Sequence, residues 1–329
     1  MYGEFTMIIL TDSISFLKQL LGGSTPSLLP IDQGHQQLFT RLTGEQGGQL
    51  WQSDIPTLSL GGERELLLAI NAPTISQFDQ LANLNDLREG ELLPDTIVMV
   101  AGRGNNFHGY KGRSWISPPG NLYLSVRFAL QQKLAWQGRE FLALSALSML
   151  EGIKHVAPHL DGNLGIKWVN DVLVDHHKIG GVITNIQSMG DQVCSAVVGI
   201  GINVLTPVEL KVEDSFVCGA TSLSQHCSDQ SNSHGESKDI FSSLFFALVN
   251  RLAYNYQQIL VDNYTEVWGR YCHHSILIGR EIEVFGEELL STSKAAPVNQ
   301  GRVLRIAPGL ELHLEGESSP VTSGRIFLK

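Results

Sequence analysis

The clearest alternation of apolar and polar positions in this chain lies in NLYLSVRF, where Leu122, Leu124, Val126 and Phe128 are interleaved with Tyr123, Ser125 and Arg127. That is the period of a strand buried on one face only. Just upstream, DTIVMVA (95–101) carries the apolar run IVMVA and predicts a buried strand. Before it, TISQFDQLANLND spaces Ile75, Phe78, Leu81 and Leu84 at helical intervals, with Thr74 placed to cap the helix. REFLALSALSMLEGIKHV (139–156) predicts a long helix packed on a sheet. GIKWVNDVLVDHHKIGGVITNIQS (165–188) predicts two strand-rich runs joined by a turn at DHH, and CSAVVGIGINV (194–204) a further strand. Helix and strand thus alternate irregularly, which points to an α+β fold with a mixed, largely antiparallel sheet.

A polar stretch, SQHCSDQSNSHGESKD (224–239), predicts an exposed loop. DIFSSLFFALVNRLAYNYQQIL then predicts a strong helix with Asp239 near its start, and NYTEVWGRYCHH (263–274) continues in helical form. From Ser275 the pattern changes to short strands and turns, ILIGREIEVFG, GRVLRIAP, LELHLEG and GRIFLK, as expected for a small, separate β unit. Residues 1–65 mix Gly, Gln, Ser and Pro with short apolar runs and carry no motif tied to chemistry. They read as an N-terminal extension of unknown role, and removing them is expected to leave the chemistry in place. The organisation expected is therefore 1–65, a catalytic domain at 66–274 and a C-terminal β domain at 275–329.

Charge narrows the function. The 329 residues carry 33 acidic against 23 basic side chains, a net −10, which argues against a general nucleic-acid binder. Cys194, Cys218, Cys227 and Cys272 show no C-x-x-C spacing, so neither a disulfide framework nor a zinc ribbon is indicated. With no cationic leader and no apolar span of membrane length, a cytoplasmic location is expected. His176–His177 and His273–His274 are adjacent pairs whose side chains diverge, so a protein-held metal is not expected.

Against this acidic background one loop stands out. VMVAGRGNNFHGYKGRSWISPPGNL places Gly102, Gly104, Gly109 and Gly112 beside Arg103, Lys111 and Arg113. Glycine frees the backbone to approach a ligand, and the cations suit a phosphate or carboxylate. GNNFHGYK imitates the spacing of a phosphate loop but lacks its lysine and Ser/Thr, and GIGINV lacks the third glycine and the helix of a dinucleotide fingerprint. Three further clusters set polar residues among strand formers: Lys167, Asn170 and Asp171 in KWVND, Lys178, Gly180 and Gly181 in KIGG, and Asn203 in GIGIN. No G-x-S-x-G or H-E-x-x-H is present, so covalent hydrolases and zinc proteases are poorly supported.

With these motifs in order, the chain from about Glu63 onward resembles the biotin–protein ligases (biotin–[carboxylase] ligases, holocarboxylase synthetases). Gly102, Arg103, Gly104, Arg113, Trp115, Ser117, Pro118, Gly120, Leu122 and Ser125 match the family's glycine–arginine loop. KWVND, KIGG, GIGIN, ATSL at 220–223 and the β-rich tail follow in the family's order. The resemblance implies a class II synthetase-like biotin/lipoate ligase core with a C-terminal SH3-like β-barrel. It implies a two-step reaction, in which biotin and Mg-ATP give biotinyl-5′-AMP and a lysine of a carboxylase's biotin carrier domain then takes the biotin. Lys178 is carried over as the principal catalytic lysine, with Arg103, Arg113 and Lys167 beside it. Thr74, Ser76, Gln77, Gly102, Gly104, Lys111, Trp115, Asn170, Asp171, Gly180, Gly181 and Asn203 are carried over as substrate or nucleotide contacts, with ATP and Mg²⁺ required and no metal fixed by the protein alone.

The chain also departs from the pattern. Thr74, Ile75 and Ser76 stand where the family has Ser-Thr-Asn, Met99 and Val100 stand where a glutamine is expected, and NNFHGYK lengthens the loop. Lipoate or octanoate ligation on the same fold therefore stays as an alternative, although no R-R-x-S-G-G-G-x-V-x-H-D stretch occurs, as does an adenylate-binding relative without transfer. A homodimer is compatible with the family. DNA binding is not expected, because residues 1–65 lack a basic recognition helix.

Overall fold

A computed structural model describes residues 7–23, 27–43, 50–55, 59–60, 64–84, 93–208, 219–227, 240–288 and 296–328. Ten strands form one sheet: β1 (Met7–Thr11), β2 (Leu29–Pro30), β3 (Trp51–Ile55), β4 (Glu65–Ile70), β5 (Thr96–Ala101), β6 (Leu122–Gln132), β7 (Leu164–Lys167), β8 (Asp171–Val174), β9 (His177–Met189) and β10 (Gln192–Ile202). Their spatial order is β2-β3-β1-β4-β5-β6-β10-β9-β8-β7. Among the described strands only β1/β4 and β4/β5 pair in parallel, and the sheet is mixed and mostly antiparallel. The helices are α1 (Ile14–Leu20), α2 (Gln33–Thr43), α3 (Gln77–Ala82), α4 (Arg139–Val156), α5 (Leu223–Cys227), α6 (Ile240–Leu260) and α7 (Tyr264–His273). A second sheet, β11 (Glu281–Phe285), β12 (Asn299–Ile306), β13 (Leu312–Leu314) and β14 (Arg325–Leu328), is antiparallel in the order β13-β12-β11-β14, in accord with the expected small C-terminal β unit.

Helices α1, α4, α6 and α7 cover one face of the large sheet, where Phe128, Phe141, Phe245 and Tyr271 are almost wholly buried. Helices α2 and α3 cover part of the other face through Phe39, Leu42 and Leu81, packed on Leu66, Leu68, Ile97 and Met99. Burial of such side chains stabilises by about 1.5–3 kcal/mol each, so the segment before residue 65 is part of the main core: Met7, Ile9, Leu10 and Leu20 are each 0 % exposed.

The structure corrects several expectations. Strand β6 is not half-exposed: Tyr123, Ser125 and Arg127 are buried nearly as deeply as their apolar neighbours, because β6 lies mid-sheet with helices on one face and with α3 and a recessed cavity, not open surface, on the other. Ser76, not Thr74, caps α3, its hydroxyl accepting the Asp79 N–H at 3.4 Å. Ile75 consequently precedes the helix and is 49 % exposed. Ser224 to Cys227 are helical, not loop, and 228–239, including Asp239, lie outside the described residues. The chain breaks between α6 and α7 at Asp262, whose φ is +58°, so the two helices are separate. Among the described residues no helix is long and apolar enough to cross a membrane. Cys194, Cys227 and Cys272 are free thiols, and Cys218 is not described.

Candidate active site

A cavity of about 1010 Å³ opens on the sheet face that α2 and α3 leave uncovered, bounded by the 102–117 loop and by the C-terminal sheet. Its floor follows from strand register. Ser125, Gly199 and Ile183 are in register across β6, β10 and β9, and so are Tyr123, Gly201, Gly181 and Asp171 one step further along, reaching β8. A Cβ on Gly199 would lie 2.9 Å from the Phe78 ring, and one on Gly201 2.7 Å from Trp115 Cζ2. The two glycines of GIGIN therefore exist for close approach, since side chains here would expel Phe78 and Trp115 from the walls.

Lys178 stands on this floor. Its Nζ lies 2.6 Å from Asp171 Oδ1 and 5.2 Å from the centre of the Trp115 ring, and the two ion-pair side chains are only 23 % and 19 % exposed. The main chain at Lys178 is strand, its N–H donating to the Gly219 carbonyl and its carbonyl accepting from the Thr221 N–H. Gly181 leaves the space the pair occupies, because a Cβ there would sit 3.2 Å from Lys178 Nζ and Asp171 Oδ1. Asn170 is locked to Val182 in both directions, at 2.6 and 3.0 Å. Asn203 is 3 % exposed and donates Nδ2 to the Thr221 carbonyl at 3.0 Å, leaving its Oδ1 unpartnered on the cavity. Gln77, also 3 % exposed, likewise leaves Nε2 unpartnered on the cavity. Buried polar atoms of this kind cost stability unless something bonds them.

Of the residues singled out from sequence, Ser76, Gln77, Lys111, Arg113, Trp115, Lys167, Asn170, Asp171, Lys178, Gly181 and Asn203 line this one cavity. Thr74, Gly102, Arg103, Gly104 and Gly180 do not. Thr74 is exposed, with its carbonyl accepting Asn106 Nδ2 at 3.2 Å, and Arg103 points outward. Gly102 and Gly104 act on the backbone, where a Cβ would strike Asn71 or the Phe107 ring. Gly180 makes room for Met149 of α4. Met99 and Val100, at the expected glutamine, are fully buried in β5.

Other lining residues were not signalled by any motif: His108, Tyr110, Arg139, Glu287 and Arg325. His108 Nε2 contacts Asp79 Oδ1 at 2.9 Å, and this bond raises the imidazole above its ordinary pKa of 6.5. Arg139 pairs with Glu311 at 2.8 Å and donates to the Gly309 carbonyl at 2.6 Å. With Trp168 Nε1 donating to the Leu310 carbonyl at 2.7 Å, these bonds fasten the C-terminal sheet to the cavity rim. Lys111 Nζ and Tyr110 Oη both meet Glu287, whose carboxyl is held below its usual range chiefly by Lys111. Lys111 itself has φ +56°, a left-handed conformation costing roughly 1–2 kcal/mol for a non-glycine residue. In all, six cationic side chains (Lys111, Arg113, Arg139, Lys167, Lys178, Arg325) face two carboxylates (Asp171, Glu287) across the lining, so the cavity is cationic within an acidic chain.

Comparison with known proteins bears on what such a cavity serves. The sequence model of the Biotin/lipoate A/B protein ligase family matches residues 76–203. The matched segment spans α3, the glycine–arginine loop and β6 to β10, and so contains the cavity floor and the loop wall but not the wall formed by the C-terminal sheet. The chain is 33 % identical over 135 residues to the bifunctional ligase/repressor BirA of Bacillus subtilis (strain 168), covering 40 % of this chain and 39 % of that one. It is 31 % identical over 104 residues to the biotin–[acetyl-CoA-carboxylase] ligase of Paracoccus denitrificans, 32 % of this chain and 40 % of that one. The matches thus span about 40 % of the length of these relatives. Among solved structures, the biotin protein ligase of Aquifex aeolicus in complex with biotin and ATP superimposes with a TM-score of 0.53 at 21 % identity, over 80 % of this chain and 98 % of that one. The fold of the core is that of the biotin protein ligases.

Proposed function

We propose that this protein is an ATP-dependent biotin–protein ligase: it joins biotin to ATP as biotinyl-5′-AMP, releasing pyrophosphate, and passes biotin to a lysine of a carboxylase's biotin carrier domain. The observation that carries this reading is the cationic lining of a cavity in a chain of net −10. In the first step a carboxylate oxygen attacks the α-phosphorus and pyrophosphate leaves, so two anions must be held together while charge builds on the phosphate. Lys178, Arg113 and Lys167 supply the neutralising charge in a partly dry site, where such contacts act most strongly. In the second step the lysine amine attacks the anhydride carbonyl, AMP leaves, and the amine's proton is lost. Asp171 is the carboxylate on that wall suited to orient the amine.

The deep end of the cavity, with Ser76, Gln77 and Ser125 among Phe78, Tyr123 and Ile183, suits a compact ring carrying few polar atoms. Gln77 Nε2 is the donor available to read it. Among the described residues no group of three His, Cys, Asp or Glu side chains is arranged to hold a metal ion. In this reading a divalent cation enters with the nucleotide, as part of the substrate. DNA contact has no place in this reading, and the C-terminal unit from residue 275 acts as a wall of the site.

The test is mass spectrometry of a biotin carrier domain after incubation with the full chain, ATP and biotin, lipoate or octanoate. A biotin mass shift is expected. A shift with lipoate or octanoate alone would reassign the substrate, and acid-dependent pyrophosphate release without any shift would leave an adenylate-forming protein that does not transfer.

A further inference from the structure

The insertion NNFHGYK carries the glycine–arginine loop across the cavity mouth to a residue of the second sheet. Glu287 follows β11 and its side chain is 13 % exposed, whereas Lys111, its ion-pair partner, is 53 % exposed. Tyr110 Oη donates to the same carboxylate at 3.2 Å. Lys111 Nζ and the Arg113 guanidinium lie 5.9 and 5.8 Å from the centre of the Tyr110 ring, and Arg113 Nε donates to the Tyr110 carbonyl at 3.1 Å. Lys111 and Gly112 adopt consecutive left-handed conformations, with φ of +56° and +71°, so the turn aims the lysine at Glu287 while the chain returns toward Arg113. One cation and one phenol thus meet one carboxylate at the cavity rim, and the second cation packs on the phenol ring and its main chain; all four residues line the cavity.

We propose that Glu287 is a positioning residue for Lys111: it parks the loop's ammonium at the cavity mouth in the empty protein and yields it to the phosphates of an incoming nucleotide, which compete for the same cation. The inference rests on reading the cavity as a nucleotide site. A lysine suits such an exchange, because its compact charge sits on a flexible stem and swings between acceptors without main-chain movement. A half-exposed pair holds weakly enough to be given up. A polyphosphate offers more negative charge than one carboxylate and takes the ammonium when present.

Three variants of the full chain test this: Glu287→Gln, Lys111→Ala and the double variant, with Glu287→Asp as the conservative control. Two readouts apply, hydrogen exchange of residues 107–115 in the empty protein and equilibrium binding of inorganic tripolyphosphate. Both single substitutions should speed exchange at amides such as Gly109 and Trp115, which bond within the loop at 2.7 and 2.9 Å. Tripolyphosphate should bind about three- to tenfold more tightly to Glu287→Gln and about three- to tenfold more weakly to Lys111→Ala. The double variant should follow Lys111→Ala, and Glu287→Asp should stay near the wild type. Shifts of the same sign in the two single variants, or unchanged loop exchange, overturn the proposal. Failure of biotin transfer alongside opposite shifts would overturn the ligase reading and leave this one standing.

Discussion

Replacing Lys178 with alanine separates charge stabilisation from structural support. The ammonium sits 2.6 Å from Asp171 Oδ1, with both side chains about one-fifth exposed. Breaking an exposed pair costs about 0–1 kcal/mol and breaking a fully buried one about 3–5 kcal/mol, because the surviving charge is stranded. At this depth the expected loss of stability is about 1–3 kcal/mol, more than a lysine in a surface turn would cost. Domains commonly hold about 5–15 kcal/mol, so Lys178→Ala stays folded at 25 °C. The loss in rate is larger: removing one preorganised contact to a developing anion costs about 2.7–4 kcal/mol, or 10²–10³ in turnover. Asp171→Asn in the same chain distinguishes the two effects, since removing both charges leaves nothing stranded. The double variant should regain most of the urea stability and none of the rate of biotin-dependent pyrophosphate release. Release by folded Lys178→Ala within about threefold of the wild type would refute the assignment of Lys178, and recovery of rate in the double variant would show that Asp171, not the missing cation, had been the obstacle.

Gly201→Ala places a methyl 2.7 Å from the Trp115 ring. The clash, worth about 1–3 kcal/mol, should displace that loop residue and weaken biotinyl-AMP binding by about tenfold while urea stability changes little; unchanged affinity by calorimetry contradicts the floor described. The His108–Asp79 contact raises the folded pKa of the imidazole, so its contribution is fully present below the unfolded value near 6.5 and fades as pH rises through the raised folded value. Exchange of residues 105–114, corrected for intrinsic rates, should therefore increase across that window, and Asp79→Asn should flatten the profile. Deleting residues 1–60 should leave no soluble folded protein by circular dichroism, because β1 pairs with β4 and Phe16, Leu17, Phe39 and Leu42 are each at most 5 % exposed. A truncated chain that folds and forms adenylate would show that the segment is dispensable.

Helices α4 and α6 and the hairpin turn at Asp175–His176 are legible in the sequence because their signals are local: an apolar stripe at helical spacing in the first two, and a polar pair between β-branched runs in the last. The motifs KWVND, KIGG and GIGIN are legible as chemistry, since polar and glycine residues inside apolar strands need a reason. What they do together is decided by register. Gly199 and Gly201 become a cavity floor only because β10 lies between β6 and β9, and Lys178 finds Asp171 only across two strands. Residues 1–65 carry no motif, yet their strands complete the sheet beyond β4, since edge strands are recruited by long-range backbone pairing that no short window encodes. Glu287 and Arg325 sit in a part of the chain with ordinary strand patterning, and only the docking of the second sheet through Arg139, Trp168 and Lys111 brings their charges to the site. Local spacing specifies elements and flags unusual residues, while which charges meet depends on strand register for Lys178 and Asp171, and for the second sheet on contacts between segments more than a hundred residues apart, which exist only once the core has closed.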